Sequence, residues 1–140
     1  KMARRGADDA GIIRTILGID DAAGSLMLAG HIDPDAELQL MHASTDALVD
    51  GAHQAAVMAH QARAAPHESS LALLVSCVGR KLAMGARVDE EIEAVREILG
   101  DGVAITGFYS HGEISPSAGL QPCDLHNQTM TVTWIRERES

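Results

Sequence analysis

Four side chains that could support metal or acid–base chemistry lie within one short stretch, GFYSHGEISPSAGLQPCDLHNQT, at residues 107–129. They are His111, Glu113, Cys123 and His126. Imidazole, thiolate and carboxylate groups are zinc ligands, and a glutamate beside the metal can act as general acid or base. Glycine and proline interrupt the stretch, which disfavours a continuous helix. These residues are therefore compatible with a metal centre, an acid–base site or the wall of a binding pocket.

The spacing of these four residues favours the wall of a binding pocket over a zinc or catalytic centre. The segments HGE and PCDLH superficially match the H-x-E and P-C-x-x-C halves of the zinc deaminases. In that pattern each half opens a helix, whereas here a short segment containing prolines and a glycine separates Glu113 from Cys123. The last ligand would also be a histidine in place of a cysteine. We therefore predict no catalytic residue and no metal ligand, and a zinc hydrolase is the alternative.

A second candidate group lies in SCVGRKLAMG, residues 76–85, which follows an apolar run and is interpreted as a glycine-containing turn after a strand. Arg80 could bind a ligand carboxylate through two hydrogen bonds, or it could form an ion pair with Glu113. Cys77 would need an adjacent base to act as a nucleophile, whereas a small buried apolar residue needs no partner. The glycine spacing matches neither a P-loop nor a dinucleotide-binding motif.

Composition excludes several classes of function. The chain has 140 residues, enough for one domain, and a net charge of −9, which repels phosphate backbones and anionic lipid. Only Phe108, Tyr109 and Trp134 carry aromatic rings besides histidine, too few for a base-stacking surface. The longest apolar run, at 71–78, is too short to cross a membrane. We expect a cytoplasmic protein with two reduced cysteines, no nucleic-acid partner and no membrane insertion.

Periodicity predicts an α+β fold with the order β-β-β-α-β-α-β-β. After a flexible lead-in at 1–10, residues 11–140 are expected to form one domain with strands at 11–20, 25–32, 36–43, 70–77, 102–110 and 127–135. Two helices are predicted. The helix at 44–65 has an apolar stripe of Leu48, Ala52, Ala55, Met58, Ala59 and Ala62, and the helix at 89–100 has one of Ile92, Val95 and Leu99. A single mixed, largely antiparallel sheet with both helices on one face accommodates this order.

Several motifs resemble one protein family. The segments LLVSCVGRKLAMG, EEIEAVREILG, ITGFYSHGEISP and LHNQTMTVT are similar to the C-terminal part of the FIST signal-transduction domain family. IIRTILGIDDAAGSLMLAGHI resembles the strand pair that precedes these motifs, so that the resemblance covers roughly residues 11–135. The positions that match the motifs are Cys77, Gly79, Arg80, Gly107, Tyr109, Gly112, Glu113, His126, Asn127 and Gln128.

The resemblance implies a fragment of a longer protein that acts as a sensory input module and is not an enzyme. Its ligand would be an amino acid or related metabolite, and its output a histidine kinase, a methyl-accepting protein or a cyclic-nucleotide enzyme. Arg80 could bind the carboxylate of such a ligand, and Glu113 with Asn127 its ammonium group. No cofactor is required, although some relatives bind haem and sense nitric oxide, which is a second alternative. Association of two copies is also left open, because a missing half can expose an apolar patch.

Overall fold

A computed structural model of the chain describes residues 1–4, 11–61, 70–116 and 123–136. It has an α+β fold, as the sequence predicts. Along the chain the elements are β1 (Met2–Arg4), β2 (Ile16–Asp20), β3 (Ser25–Leu28), β4 (Ala36–Leu38), α1 (Thr45–Gln61), β5 (Ser70–Cys77), α2 (Val78–Met84), a 3₁₀ turn (Gly85–Arg87), α3 (Glu90–Leu99), β6 (Val103–Ser110), β7 (Glu113–Pro116), β8 (Cys123–His126) and β9 (Met130–Arg136).

The central sheet has three strands in the order β6-β5-β9. β5 and β6 are parallel, as expected for strands joined through α3, and β9 is antiparallel to β5. Residues of β5 alternate in burial. Ala72 and Leu74 face the helices, whereas Leu71, which points the other way, is 37% exposed. Among the residues that the structure describes, helices therefore cover only one face of this sheet.

The core lies between this sheet and the two longer helices. It contains Ala52 and Ala56 of α1, Val95 and Leu99 of α3, and the strand residues Ala72, Leu74 and Val103. Burying each of the larger side chains contributes about 1.5–3 kcal/mol. The alanines of α1 let that helix approach closely. The two predicted apolar stripes are partly wrong. In α1, Met58 is 56% exposed and Ala56 is buried in its place, and in α3, Ile92 is 37% exposed.

The predicted ends of both helices agree with the structure where it describes them. Ser44 caps α1, because its hydroxyl oxygen accepts a hydrogen bond from the Ala47 N–H at 3.2 Å. α3 ends at Gly100, whose positive φ of 84° suits glycine and whose N–H donates to the Arg96 carbonyl oxygen. Residues 62–65, the predicted end of the first helix, lie outside the described residues.

The prediction of one sheet is wrong, because the described strands form four separate small sheets. β2 and β3 form the predicted hairpin around Gly24, but β4 pairs with β1 and not with β3. β1 lies within the predicted lead-in, and Met2 is buried and exchanges two backbone hydrogen bonds of 2.8 Å with Ile12. β7 and β8 form a further hairpin, which the prolines and glycines of the sequence concealed.

No helix within the described ranges is long and apolar enough to cross a membrane.

Candidate ligand-binding site

The segment after β5 is a helix, so the predicted turn at residues 76–85 is wrong. β5 ends at Cys77 and α2 begins at the next residue. Cys77 is 3% exposed, and its backbone N–H donates to the Thr129 carbonyl oxygen at 3.0 Å. Both cysteines are free thiols, Cys77 buried and Cys123 exposed. Cys77 therefore joins the start of α2 to the segment that precedes β9.

Arg80 of α2 is buried against Glu91 of α3. The guanidinium Nε and Nη2 lie 3.1 and 3.0 Å from Oε2 of Glu91, and Nη2 also donates to the Leu48 carbonyl oxygen at 2.7 Å. The Ser76 hydroxyl donates to Oε1 of the same carboxylate at 3.1 Å. The alternative ion pair of Arg80 with Glu113 is therefore wrong. The charge of Arg80 is instead compensated by Glu91 within the core.

Tyr109 belongs to the same buried group. Its hydroxyl donates to Oε1 of Glu91 at 2.9 Å, and the Lys81 ammonium lies over its ring, 4.8 Å from the centroid. Burial, followed by the hydrogen bond to Glu91, raises the pKa of Tyr109 to about 12. Tyr109 therefore stays a neutral phenol below that pH and donates a hydrogen bond to the Glu91 carboxylate.

Glu113 is held by two hydroxyl groups. It is 2% exposed, and its carboxylate accepts hydrogen bonds from Ser110 Oγ at 2.6 Å and from Thr129 Oγ1 at 2.7 Å. It lies opposite His126 in the β7–β8 hairpin. His126 Nε2 donates to the Ser115 carbonyl oxygen across that hairpin at 3.0 Å. These contacts tie the hairpin together and join it to β6 and to the residues before β9.

Asn127 connects the hairpin to the N-terminal part of the chain. It is 2% exposed, its Nδ2 donates to the His111 carbonyl oxygen at 3.3 Å, and its Oδ1 accepts from the Thr15 N–H at 3.5 Å. Within the described ranges, no three histidine, cysteine, aspartate or glutamate side chains are placed to hold a metal ion. Arg80, Glu113 and Asn127 are thus each bonded to separate protein groups and do not converge on one open pocket.

Gly107 and Gly112 are sites of close contact within the protein. A Cβ at Gly107 would overlap the Leu74 carbonyl oxygen of the paired strand. A Cβ at Gly112 would lie 2.9 Å from Leu125 Cδ1 and 3.2 Å from Asn127 Nδ2. Glycine is thus required at Gly107 by the paired backbone, whereas a side chain at Gly112 would force the Leu125 side chain to move.

Gln128 and Gly79 are the two motif positions that meet beside an open space. Gln128 has a φ of 59°, the only positive value at a residue other than glycine in the described part of the chain. Its side-chain amide lies against Gly79 in the first turn of α2, where a Cβ would overlap it. A left-handed glutamine is strained, and such strain is concentrated at functional sites.

The space beside Gln128 is a cavity of about 700 Å³, called here the Gln128 cavity. Its wall is formed by Gln128, residues 13–16, the β2–β3 hairpin, residues 38–43, Leu48 and Ala83. Much of this wall is apolar, and several of its large side chains are more than 40% exposed: Ile16, Leu26, Leu38, Leu40 and Met41. Its charged wall residues are the cations Lys1 and Arg14, and the Thr15 hydroxyl is buried there without a partner among the described residues.

A second cavity, of about 410 Å³, lies between the central sheet and α3 and is called here the α3 cavity. It is lined by residues 105–109 of β6, by Leu74 and Ser76 of β5, by Met130 of β9, by Ile92 and Arg96 of α3, and by the buried carboxylate of Glu91. The motif residues Gly107 and Tyr109 lie in its wall. The structure therefore divides the ten motif positions among a hydrogen-bonded core, the Gln128 cavity and the α3 cavity.

Sequence reasoning missed Glu91 and the apolar wall of the Gln128 cavity. Glu91 is fully buried, whereas an acid in the first turn of a helix is explained by the helix dipole without any burial. The available signal was its spacing, because Glu91, Val95 and Leu99 follow one another at steps of four and share one face of α3. For the apolar wall of the Gln128 cavity, the available signal was the leucines in and beside the short strands β3 and β4, which are Leu26, Leu28, Leu38 and Leu40.

Comparison with known proteins identifies relatives over most of the chain. A family model described as the FIST C domain matches residues 2–116. An uncharacterized protein of Mycobacterium bovis is 31% identical over 121 residues, which are 86% of this chain and 30% of that protein. An uncharacterized protein of Mycobacterium tuberculosis strain CDC 1551 matches with the same values. A further one, from strain H37Rv, is 28% identical over 121 residues with the same coverage.

The chain thus spans about 30% of the length of the curated relatives that it matches. No solved structure matches it.

Proposed function

We propose that this chain, which belongs to the FIST C domain family, is a cytoplasmic sensory module that binds a small molecule in the Gln128 cavity and is not an enzyme. The family is one of signal-transduction domains. The observation that carries the proposal is Gln128 itself, a strained glutamine whose amide is held beside an apolar cavity. A residue with a strained backbone whose side chain also lines a cavity is a better guide to a binding site than either feature alone.

The cavity wall indicates the class of ligand. A volume of about 700 Å³ is within the range of sites that take small molecules. Leucine, isoleucine and methionine side chains favour an apolar body, and Arg14 and Lys1 favour a carboxylate. The Gln128 amide can donate to a carboxylate or accept from an ammonium group. An apolar amino acid or a related small carboxylic acid fits this chemistry.

The ligand would reach several elements at once. The cavity touches the β2–β3 hairpin, Leu48 of α1 and Ala83 of α2. A ligand that binds only when these elements are close together would stabilise that arrangement, which is how binding can change an interaction elsewhere. The output that receives the signal would be a partner or further domain such as a histidine kinase, a methyl-accepting protein or a cyclic-nucleotide enzyme.

A thermal-shift screen of the purified chain against amino acids, small carboxylic acids and hemin tests this function. A ligand at 100 times its Kd stabilises the folded state by about 2.7 kcal/mol, which raises the melting temperature by several degrees. We expect a hit among apolar amino acids or related acids that is lost in Gln128→Ala. It should be kept in Gln54→Ala, which alters an exposed glutamine of α1.

Three outcomes contradict the proposal. Stabilisation that survives Gln128→Ala would place the ligand elsewhere. A Soret band on hemin addition, with no other hit, would favour the haem sensor. Stoichiometric zinc, or a reactive Cys77 thiol, would favour a hydrolase.

A further inference from the structure

The α3 cavity reaches from the surface to the core of the domain. Its inner wall contains Leu74 and Ser76 of β5 and Glu91 of α3, and all three residues are buried. Ile92 and Arg96 are exposed and lie at its mouth. A volume of about 410 Å³ is within the range of sites that take small molecules. The Gln128 cavity shares no wall residue with it, so a ligand in the α3 cavity would be a second ligand.

Gly107 leaves a gap in the wall of this cavity. It lies in the middle of β6, pairs with Leu74 of β5 and has no side chain. Ile105 and Tyr109 lie two residues to either side and point to the same face of the sheet, because successive residues of a strand alternate between faces. The carbonyl oxygen of Leu74 excludes any larger residue at Gly107, so the gap between the two large side chains is built into the fold.

The rest of the wall is mainly apolar. The aliphatic and thioether side chains that surround the gap are those of Leu74, Ile92, Ile105 and Met130. They come from the central sheet and from α3, so they enclose the gap from opposite sides. A ligand body that fills this space should therefore be apolar, because its burial removes both apolar surfaces from water.

Arg96 is the wall residue that is free to bind a charged group. The Glu91 oxygens are already engaged, Oε1 by Ser76 and Tyr109 and Oε2 by Arg80, which also compensates the negative charge. The Arg96 side chain makes no hydrogen bond or ion pair with any residue that the structure describes. Its guanidinium can therefore bind an incoming carboxylate through two parallel hydrogen bonds.

We propose that the α3 cavity binds a small monocarboxylic acid that has an apolar tail and no ammonium group. Arg96 holds the carboxylate at the mouth, and the tail fills the gap above Gly107. An amino acid with the same tail is disfavoured, because its ammonium group would lie beside the Arg96 guanidinium while the Glu91 oxygens are occupied. This inference does not depend on the proposed function, which concerns the other cavity.

Hexanoate and norleucine are matched probes, since norleucine is hexanoate with an ammonium group on its α carbon. In amide NMR spectra of the folded chain, hexanoate should shift the resonances of Ile92, Arg96 and residues 105–109 until they saturate. Norleucine should leave these resonances unchanged. Arg96→Met should weaken hexanoate binding about tenfold, the effect of losing a hydrogen bond to a charged group. Arg87→Met is the control, because it removes a surface cation that does not line the cavity and should leave hexanoate binding unchanged.

Ile92→Trp tests the site by a second route and replaces Arg96→Met if that chain fails to fold. The larger ring should fill the mouth of the cavity and abolish the shifts caused by hexanoate, with circular dichroism checking the fold. The proposal would be overturned by the absence of saturable shifts, by equal binding of norleucine at the same resonances, or by hexanoate binding that neither variant weakens. Shifts at residues 13–16 in place of those in β6 would put hexanoate in the Gln128 cavity and would also overturn it.

Discussion

The guanidinium of Arg80 and the carboxylate of Glu91 form an ion pair in the core, with side chains only 4% and 1% exposed. The pair joins α2 to α3, and the bond from Arg80 to the Leu48 carbonyl oxygen adds α1. Ser76 and Tyr109 bind the same carboxylate from β5 and β6. One buried group therefore links three helices to the central sheet, and its removal would leave several partners unsatisfied.

Breaking this pair should destabilise the domain strongly. Glu91→Ala leaves Arg80 as an uncompensated buried charge, which costs about 3–5 kcal/mol in comparable cases. Urea unfolding of Glu91→Ala and Arg80→Ala should show losses of this size. Arg87→Ala is the matched control, since Arg87 pairs with Asp46 and Glu90 at the surface, and its midpoint should barely move. Equal losses in Arg80→Ala and Arg87→Ala would contradict the structural role of the buried pair.

Tyr109 should ionise later than an ordinary tyrosine. Its pKa in the folded state is raised to about 12, above the reference value of 10.0, mainly by burial and then by Glu91. A raised pKa means that the contribution of Tyr109 to stability is complete below pH 10 and is lost as the pH rises through about 12. Tyr109 is the only tyrosine, so absorbance at 295 nm reports it alone.

In the native chain the tyrosinate absorbance should therefore rise with a midpoint well above that of the chain unfolded in urea. Glu91→Gln should lower the native midpoint, because it removes the negative charge that opposes ionisation. A native midpoint near 10, with circular dichroism still that of the folded chain, would show that the phenol is solvated.

The sequence predicts the central sheet better than it predicts side-chain partners. β5 is recognisable as a continuous apolar run, and α3 has acids in its first turn and a glycine at its end. Both signals are local. The partner of Arg80 depends on how α2 packs beside α3, which no local pattern reveals. The sequence therefore suggested Glu113 as that partner, whereas the structure has Glu91. The left-handed backbone of Gln128 could not be predicted from the sequence either, because a positive φ is usually signalled by glycine or asparagine.

Gly107 should be intolerant of any side chain. A Cβ there would overlap the Leu74 carbonyl oxygen, and a paired backbone cannot move aside as a side chain can. We expect Gly107→Ala to destabilise the domain by about 1–3 kcal/mol, as overpacking does. At Gly102 a Cβ would meet no atom within 4 Å, so Gly102→Ala should be neutral or slightly stabilising. Chemical denaturation of the two variants checks both signs, and equal effects would argue against the close approach of β5 and β6.

Gln128 should lower the folding stability of the domain while contributing to ligand binding. Because left-handed backbone at a non-glycine residue costs on the order of 1–3 kcal/mol, Gln128→Gly should raise the unfolding midpoint in urea. The same variant should lose the ligand shift of the wild-type chain. A Gln128→Gly variant that is less stable than wild type would mean that the glutamine is held for packing and not for a ligand.

The effect of Gly79→Ala on stability should depend on the residue at position 128. In the wild-type chain Gly79→Ala forces the Gln128 amide away from α2, which should weaken ligand binding and cost some stability. In the Gln128→Gly background the opposing amide is absent, so Gly79→Ala should become stabilising by up to about 1 kcal/mol, the helix preference of alanine over glycine. The reversal of sign between the two backgrounds measures the coupling of the two residues. If Gly79→Ala has the same effect in both, the glycine serves the backbone of α2, and the contact with Gln128 has no energetic consequence.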